Sequence, residues 1–543
     1  MNGWREGAPA LRHEVLFGDR VVACRPGRPR NFHALLEDAA AQNARGDALV
    51  FGDYRASWQR LAETVEQLAA GLSNLGVAKG DRVALLIGNR PEFVIAIYAL
   101  SRLGAISVPI SVREQAPGIA YALNHSGAQL LLYDPIFKAQ LPSPDRLENS
   151  VTLIATGDCN APWKDLQSAD ITPIVDVCET DIAFIIYTSG TTGKPKGAMI
   201  AHVNLVHSAL LYEQVMQLGE GERSIVAVPM THVTGLTGLI AAMARCAGAL
   251  IIAPEFKAEE FVKLAEAEAM THTVLVPAMY NLILGRTDLQ AYDLSHWRIG
   301  GFGGAPMPAP TIERIANILP SLGLMNLYGA TETACALLVM PFDQTAVRRE
   351  QVGRAAPGAE IIIVNDQNIE CPTGEAGEIW LRSATVSPGY WKDDAATGSA
   401  FVGGYWRSGD IGIMDNDGYY SVLDRIKDMI NRGGFKIYSA EVESALAKHP
   451  SVLESAVVAK PCPVLGERVH AFIAVRNELL DPTELAQYCK EQLADYKRPE
   501  TFTIQKKPLP RNANGKLMKR EMRDELDALR GKIRLNEAIN EKA

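Results

Sequence analysis

No two of the eight cysteines stand in a C-x-x-C pair. Cys24, Cys159, Cys178, Cys246, Cys335, Cys371, Cys462 and Cys489 are scattered, so zinc and dithiol readings lack their ligand spacing. Reduced thiols of a cytoplasmic protein are expected. Excess positive charge is also missing: the net charge is −9, which speaks against nucleic acid as the main partner. One stretch, 224–244, holds no Asp, Glu, Lys or Arg, but Pro229, Thr231, His232, Thr234 and Thr237 interrupt its apolarity. Strand, loop and buried helix are expected there, with no membrane span. The opening residues lack the apolar core of a signal peptide, and the ending "NEKA" is neither a prenylation box nor a peroxisomal tripeptide.

A chain of 543 residues is too long for one core. Ser57 is placed to cap a helix with Leu61, Val65, Leu68, Leu72 and Leu75 on one face, and Gly76 suits its end. "RVALLI" (82–87), a helix opened by Pro91, and "AISVPI" (105–110) read as strand, helix and strand. The alternation continues through strand "AFIIYT", a helix from about 203 to 216, strand "SIVAVP", a helix over 236–246 and strand "ALIIA". Helix "EEFVKLAEAE" and strand "TVLVP" follow. Such alternation builds parallel sheets, so the class is α/β. From 359 to 425, Gly and aromatic residues dominate, with "GEAGEIWLRS" and "DGYYSVLDR" as hairpin strands. Beyond Arg425 a small α+β unit is expected, with strands near 453–459 and 469–475 and a helix over 482–494. The domain boundary is placed at Lys427, giving domains 1–426 and 427–543, and 519–543 reads as a charged helix.

"YTSGTTGKPKGAM" (187–199) almost spells a Walker A loop. Gly190 and Gly193 are only three apart, however, and Pro195 follows Lys194 where a hydroxyl on Mg²⁺ is needed. The helix-anchored cradle is therefore not built. Glycines still let backbone N–H groups approach phosphate; Thr188, Ser189, Thr191 and Thr192 add donors, and Lys194 and Lys196 add charge. A mobile hairpin over a polyphosphate is expected.

This stretch resembles the signature of the adenylate-forming superfamily: acyl- and aryl-CoA synthetases, luciferases and peptide-synthetase adenylation domains. The similarity continues in family order from about residue 30 to 520. It implies a large N-terminal domain of several subdomains, with parallel sheets and a small β-barrel-like part, and a small mobile α+β C-terminal domain. In "NLYGATET" (326–333) it implies that Asn326, Tyr328 and Gly329 sit by the adenine, Thr331 by the α-phosphate, and Glu332, with Thr188, on Mg²⁺. "GGAP" (303–306), with Gly304, Ala305 and Pro306, would lie along the base. Asp410 and Arg425 match the ribose contacts, and Lys516 in "PLPRNANGK" matches the catalytic lysine. A cation there stabilises the charge built when a carboxylate attacks the α-phosphorus.

The resemblance also implies two half-reactions. Adenylation turns the oxide of a carboxylate into AMP, a good leaving group, and a thiol then displaces it. Lys427 would be the pivot between the two states. Gly433 and Gly434 would flank the pantetheine arm, and Lys436, Lys497 and Arg498 are candidates for CoA phosphates.

The acid itself is less marked. Amino-acid activators of the family carry an aspartate in the segment matching "PMTHVTGL" (229–236), and none is present. Acetate-specific relatives place tryptophan where Gly329 stands, so a larger pocket is expected. His232, Val233, Thr237, Ala278, Gly301, Gly303, Leu327 and Cys335 would line it, with His232 also a candidate gate or orienting residue. The reading is an ATP-dependent carboxylate–CoA ligase acting on a medium- or long-chain fatty acid or a bulky cyclic acid. An aryl, phenylpropanoid or steroid acid, a carrier-protein thiol as acceptor, and a luciferase-like oxygenase are the alternatives. The expected partners are the acid, ATP and CoA, with Mg²⁺ as cofactor; a homodimer stays open.

Overall fold

The computed structural model describes residues 10–157, 163, 166, 174–188, 194–475, 480–511 and 517–526. The chain forms two compact units. One comprises Met1–Ile362, Trp380–Arg407 and Asn416–Tyr420; the other comprises Ile363–Ile379, Ser408–Asp415 and Ser421–Ala543.

The first unit holds two large sheets. In the six-stranded sheet, Arg82–Leu86 lies parallel to Ile106–Pro109 on one side and Leu130–Tyr133 on the other. The connecting helix Pro91–Leu103 begins on Pro91, whose fixed φ suits a first turn, and closes on Gly104 at φ 66°. All its residues but Arg102 are buried, as a helix apolar on every side requires. Its Tyr98 stacks on Phe32 at 4.6 Å. The nine-stranded sheet sets Gly323–Gly329, Ile299–Gly303, His272–Leu275, Arg223–Val226 and Ala249–Ile252 side by side. These are the expected α/β elements.

Details differ from the sequence reading. Ser57 does cap the helix Trp58–Asn74, its side chain accepting from the Arg60 N–H. That helix ends before Leu75, which is exposed rather than part of the apolar face. The helix expected over 236–246 starts at Val233 and contains a π-helical stretch, Leu236–Ala241. The span-like stretch 224–244 thus becomes strand and buried helix, and no helix among the described residues is long and apolar enough to cross a membrane.

Glu360–Val364, Gly377–Arg382, Tyr405–Met414, Phe401–Val402 and Tyr420–Arg425 form a five-stranded sheet. The second unit has its own sheet, built on Val452–Cys462 paired antiparallel with Gly466–Val475. Thr501–Gln505 adds in parallel to Gly466–Val475, and the hairpin of Ile430–Arg432 and Phe435–Ile437 joins that same strand at its start, with Arg432 opposite Gly466. Helices Ser439–Leu446 and Pro482–Gln492 cover a core that includes Val442, Leu446, Val457, Ile473 and Leu485. Residues 519–526 are helical.

Three histidines tie the fold to pH. Burial pushes His202 and His470 down to about 4 and His207 to about 3. His202 Nδ1 accepts from the Phe32 N–H at 3.2 Å, so its proton sits on Nε2. All three are neutral in the folded chain at pH 7 and titrate near 6.5 once unfolded. Their contribution to stability is present above about pH 6.5 and is lost as pH falls towards 4. The denaturant midpoint is expected to drop across that window, with His207→Gln flattening the slope. A flat midpoint from pH 7 to pH 4 in the unmodified protein would refute the assignment.

Candidate active site

The phosphate-type loop joins two antiparallel strands, Ile182–Thr188 and Lys196–Ala201, with Thr188 opposite Lys196. Its stem is held from one side by helix Ala116–Ser126. The Tyr121 hydroxyl donates to the Pro195 carbonyl at 2.8 Å, and the Tyr187 hydroxyl lies 2.9 Å from His125 Nδ1. Lys194 is exposed. Ser189, Gly190, Thr191, Thr192 and Gly193 lie outside the described residues.

Strand Gly323–Gly329 delivers the second group. It runs parallel to Ile299–Gly303, with Gly303 opposite Leu327, so "GGAP" and "NLYG" are neighbours as expected. A Cβ on Gly303 would overlap the Leu327 carbonyl, and Gly304 sits at φ 76°, so both glycines serve the backbone. Asn326 reaches the Gln351 carbonyl through Nδ2, and Tyr328 is half-buried. After Ala330 the chain makes one tight turn, Thr331–Thr333, and Ala334 leaves it at φ 53°. The Thr333 hydroxyl pins this turn, accepting from the Ala330 N–H at 2.9 Å and donating to the Cys335 carbonyl at 2.7 Å.

The turn presents Glu332, which is buried. Its Oε1 accepts from the Tyr390 hydroxyl at 2.9 Å, and its carbonyl accepts from the Ser387 N–H at 2.8 Å. The face of the same Tyr390 carries the Lys196 ammonium, 4.9 Å from the ring centroid. The loop lysine and the turn carboxylate thus meet on one side chain that sequence reasoning did not single out. Its local signal is only the aromatic pair in "GYW" (389–391).

Among residues expected along the acid, Thr237 donates to the Ala334 carbonyl at 2.7 Å, which ties its helix to the Glu332 turn. A Cβ on Gly301 would lie 2.9 Å from Leu327 Cδ1, so that leucine fills its face. The buried Cys335 thiol is pushed up to about 11 by desolvation and stays protonated at neutral pH. His232 caps the helical turn at Val233, and Ala278 is exposed.

In the second unit Asp410 and Arg425, the two residues matched to ribose, lie 3.3 Å apart as an ion pair. Burial pushes the Lys427 ammonium down. Gly433 and Gly434 occupy φ 60° and 93° at the tip of a hairpin, where a side chain would be strained. Lys436 pairs with Asp366 at 2.8 Å and Lys497 with Glu441 at 2.6 Å. Arg498 Nε donates to the Leu493 carbonyl at 2.9 Å, closing helix Pro482–Gln492. Lys516 lies outside the described residues.

The donor set fits Mg²⁺ that arrives with a nucleotide. No group of three His, Cys, Asp or Glu converges among the described residues. Glu332 offers one carboxylate with one oxygen already oriented, and Mg²⁺ takes one or two carboxylates and completes its shell with water and phosphate oxygens.

The profile of the AMP-binding enzymes matches residues 36–391, and that of their C-terminal domain matches 441–516. A feruloyl-CoA synthase of Amycolatopsis is 32% identical, covering 89% of this chain and 96% of its own. A long-chain-fatty-acid–CoA ligase of Mycobacterium tuberculosis is also 32% identical, covering 92% and 99%. The structure of o-succinylbenzoate CoA synthetase from Bacillus subtilis with ATP and magnesium aligns at TM-score 0.80 and 28% identity, covering 91% and 99%. With both profiles, the shared fold and these relatives in agreement, the chain belongs to the adenylate-forming AMP-binding enzymes, in their acyl- and aryl-CoA synthetase branch.

Proposed function

We propose that this carboxylate–CoA ligase activates a medium- or long-chain fatty acid or a bulky cyclic acid, releases pyrophosphate, and passes the acyl group from AMP to CoA. The observation that carries the choice of acid is the neutral, largely buried set Thr237, Leu327 and Cys335 beside the Glu332 turn. No carboxylate in 229–236 awaits a substrate amine.

In this reading Thr188 to Gly193, Lys194 and Lys196 hold the departing phosphates. Tyr328, with Gly304 to Pro306, receives adenine, and Asp410 and Arg425 receive ribose. Thr331 orients the α-phosphate, and Lys516 offsets the charge that builds there as the carboxylate attacks. Mg²⁺, held by Glu332 and Thr188, would neutralise phosphate charge. The chain from Lys427 onward acts as a lid, with Lys427 as pivot. Gly433 and Gly434 leave room for pantetheine, and Lys436, Lys497 and Arg498 lie towards CoA phosphates. Since each of these three has an intramolecular partner, CoA must displace or share those contacts.

The two relatives named for an aryl and a long-chain acid are equally similar, so the test must span both classes. Pyrophosphate release is to be measured over fatty acids from acetate to stearate, benzoates, cinnamates, and alicyclic and steroid acids. Each is run without acceptor, with CoA, and with a phosphopantetheinyl carrier protein. Turnover with a long or cyclic acid that needs CoA supports the proposal. A preference for acetate or an amino acid, or an acceptor effect confined to the carrier protein, overturns it.

A further inference from the structure

Tyr390 belongs to a short strap, Ser387–Trp391, laid against the phosphate-loop strand. The Trp391 N–H donates to the Gly197 carbonyl at 2.8 Å, and the Met199 N–H donates to the Gly389 carbonyl at 3.0 Å. The Tyr390 N–H donates to Thr397 Oγ1 at 2.9 Å. The strap is clamped from behind by Arg20, a buried guanidinium on the hairpin of Arg12–Leu16 and Arg20–Cys24. Arg20 Nη1 donates to the Ser387 carbonyl at 2.5 Å and Nη2 to the Pro388 carbonyl at 2.7 Å. Its guanidinium also lies over Phe17 and Phe401, with centroids at 5.5 and 5.3 Å. That hairpin precedes the stretch matched by the family profile.

We propose that Tyr390 is a positioning residue for adenylation, its hydroxyl setting the Glu332 carboxylate and its ring setting the Lys196 ammonium, while Arg20 holds the strap that carries it. A glutamate's carboxyl group rotates easily about its last torsion. A donor on Oε1 selects one orientation of the carboxylate. A phenol keeps its proton at neutral pH, so the Tyr390 hydroxyl donates to the carboxylate. The flexible lysine gains a defined seat over the negative face of the ring. Both charged groups are therefore oriented before ATP binds, which lowers the reorganisation needed in the transition state.

The inference rests on the reading of Glu332 as the carboxylate that meets Mg²⁺. The test uses the full-length enzyme with a non-hydrolysable ATP analogue and Mn²⁺, reading metal affinity by electron paramagnetic resonance. It also measures the Mg²⁺ dependence of ATP–pyrophosphate exchange and the thermal midpoint. Tyr390→Phe is expected to weaken Mn²⁺ binding about tenfold to a hundredfold, as loss of a ligand-orienting partner does. The Mg²⁺ needed for half-maximal exchange should rise in step, with little change in thermal midpoint. Arg20→Lys, which keeps the charge but not the two-carbonyl clamp, should shift both in the same direction by less. Loss of affinity in Glu332→Gln without any in Tyr390→Phe and Arg20→Lys overturns the positioning role. Unchanged affinity in Glu332→Gln overturns the underlying reading instead, so the two failures are distinct.

Discussion

Lys516→Ala is expected to cut acyl-adenylate formation by about a hundredfold to a thousandfold, the loss typical of one preorganised charge-stabilising group. Attack of a carboxylate on the α-phosphorus brings two anions together and builds further negative charge on the phosphate. A cation stabilises that arrangement more than it stabilises either reactant, so its loss appears in the rate constant rather than in ATP affinity alone. The thiol step makes a different demand, because the acyl carbon already carries AMP as leaving group. Thioester formation from supplied acyl-AMP should therefore stay largely intact. ATP–pyrophosphate exchange reads the first step and thiol consumption with synthetic acyl-AMP reads the second. Lys516→Arg, which keeps the charge, should recover part of the first. Equal loss of both half-reactions would overturn the assignment of Lys516 to adenylation and the lid role of the chain beyond Lys427.

Much of the scaffold was legible because its signals are local. Ser57, Pro91 and Gly76 mark helix ends by side-chain acceptance, fixed φ and left-handed backbone, and each does so in the structure. Leu75 failed as a core residue because its spacing continues the apolar face one position past the last helical residue. Strand Lys196–Ala201 was harder to see, since three of its six residues are Gly or Ala and Pro195 stands directly before it. The turn around Glu332 was readable from "NLYGATET", whose parts are contiguous. Tyr390 and Arg20 were not. One acts on a residue 58 positions away and the other on carbonyls more than 360 away, and neither type is unusual in its own neighbourhood. Contacts of that span follow from how strands are brought together, which periodicity does not encode.

Gly329→Ala is expected to damage stability and adenylation together. A Cβ there would overlap the Cys335 carbonyl and lie 2.8 Å from Ala336 Cα. Both obstacles are backbone, so no rotamer change relieves them. Gly329 pairs with Ala336 at an irregularity in the antiparallel register, and Thr331 and Glu332 follow within three residues. Forcing the strands apart costs about 1–3 kcal/mol, as overpacking does. Displacing the Glu332 turn by about 1 Å costs about a hundredfold in rate. Gly398→Ala is the control: an added Cβ meets nothing within 4 Å in helix Asp394–Ala400, so both stability and exchange should hold. The geometry also alters what this glycine says about the acid. The resemblance treats it as a sign of an open pocket, but in this chain its Cβ direction faces the 335–336 backbone, so local packing calls for glycine as well. If Gly329→Ala instead keeps its thermal midpoint and exchange rate but shifts preference towards shorter acids, the position faces the acid and the backbone argument is wrong.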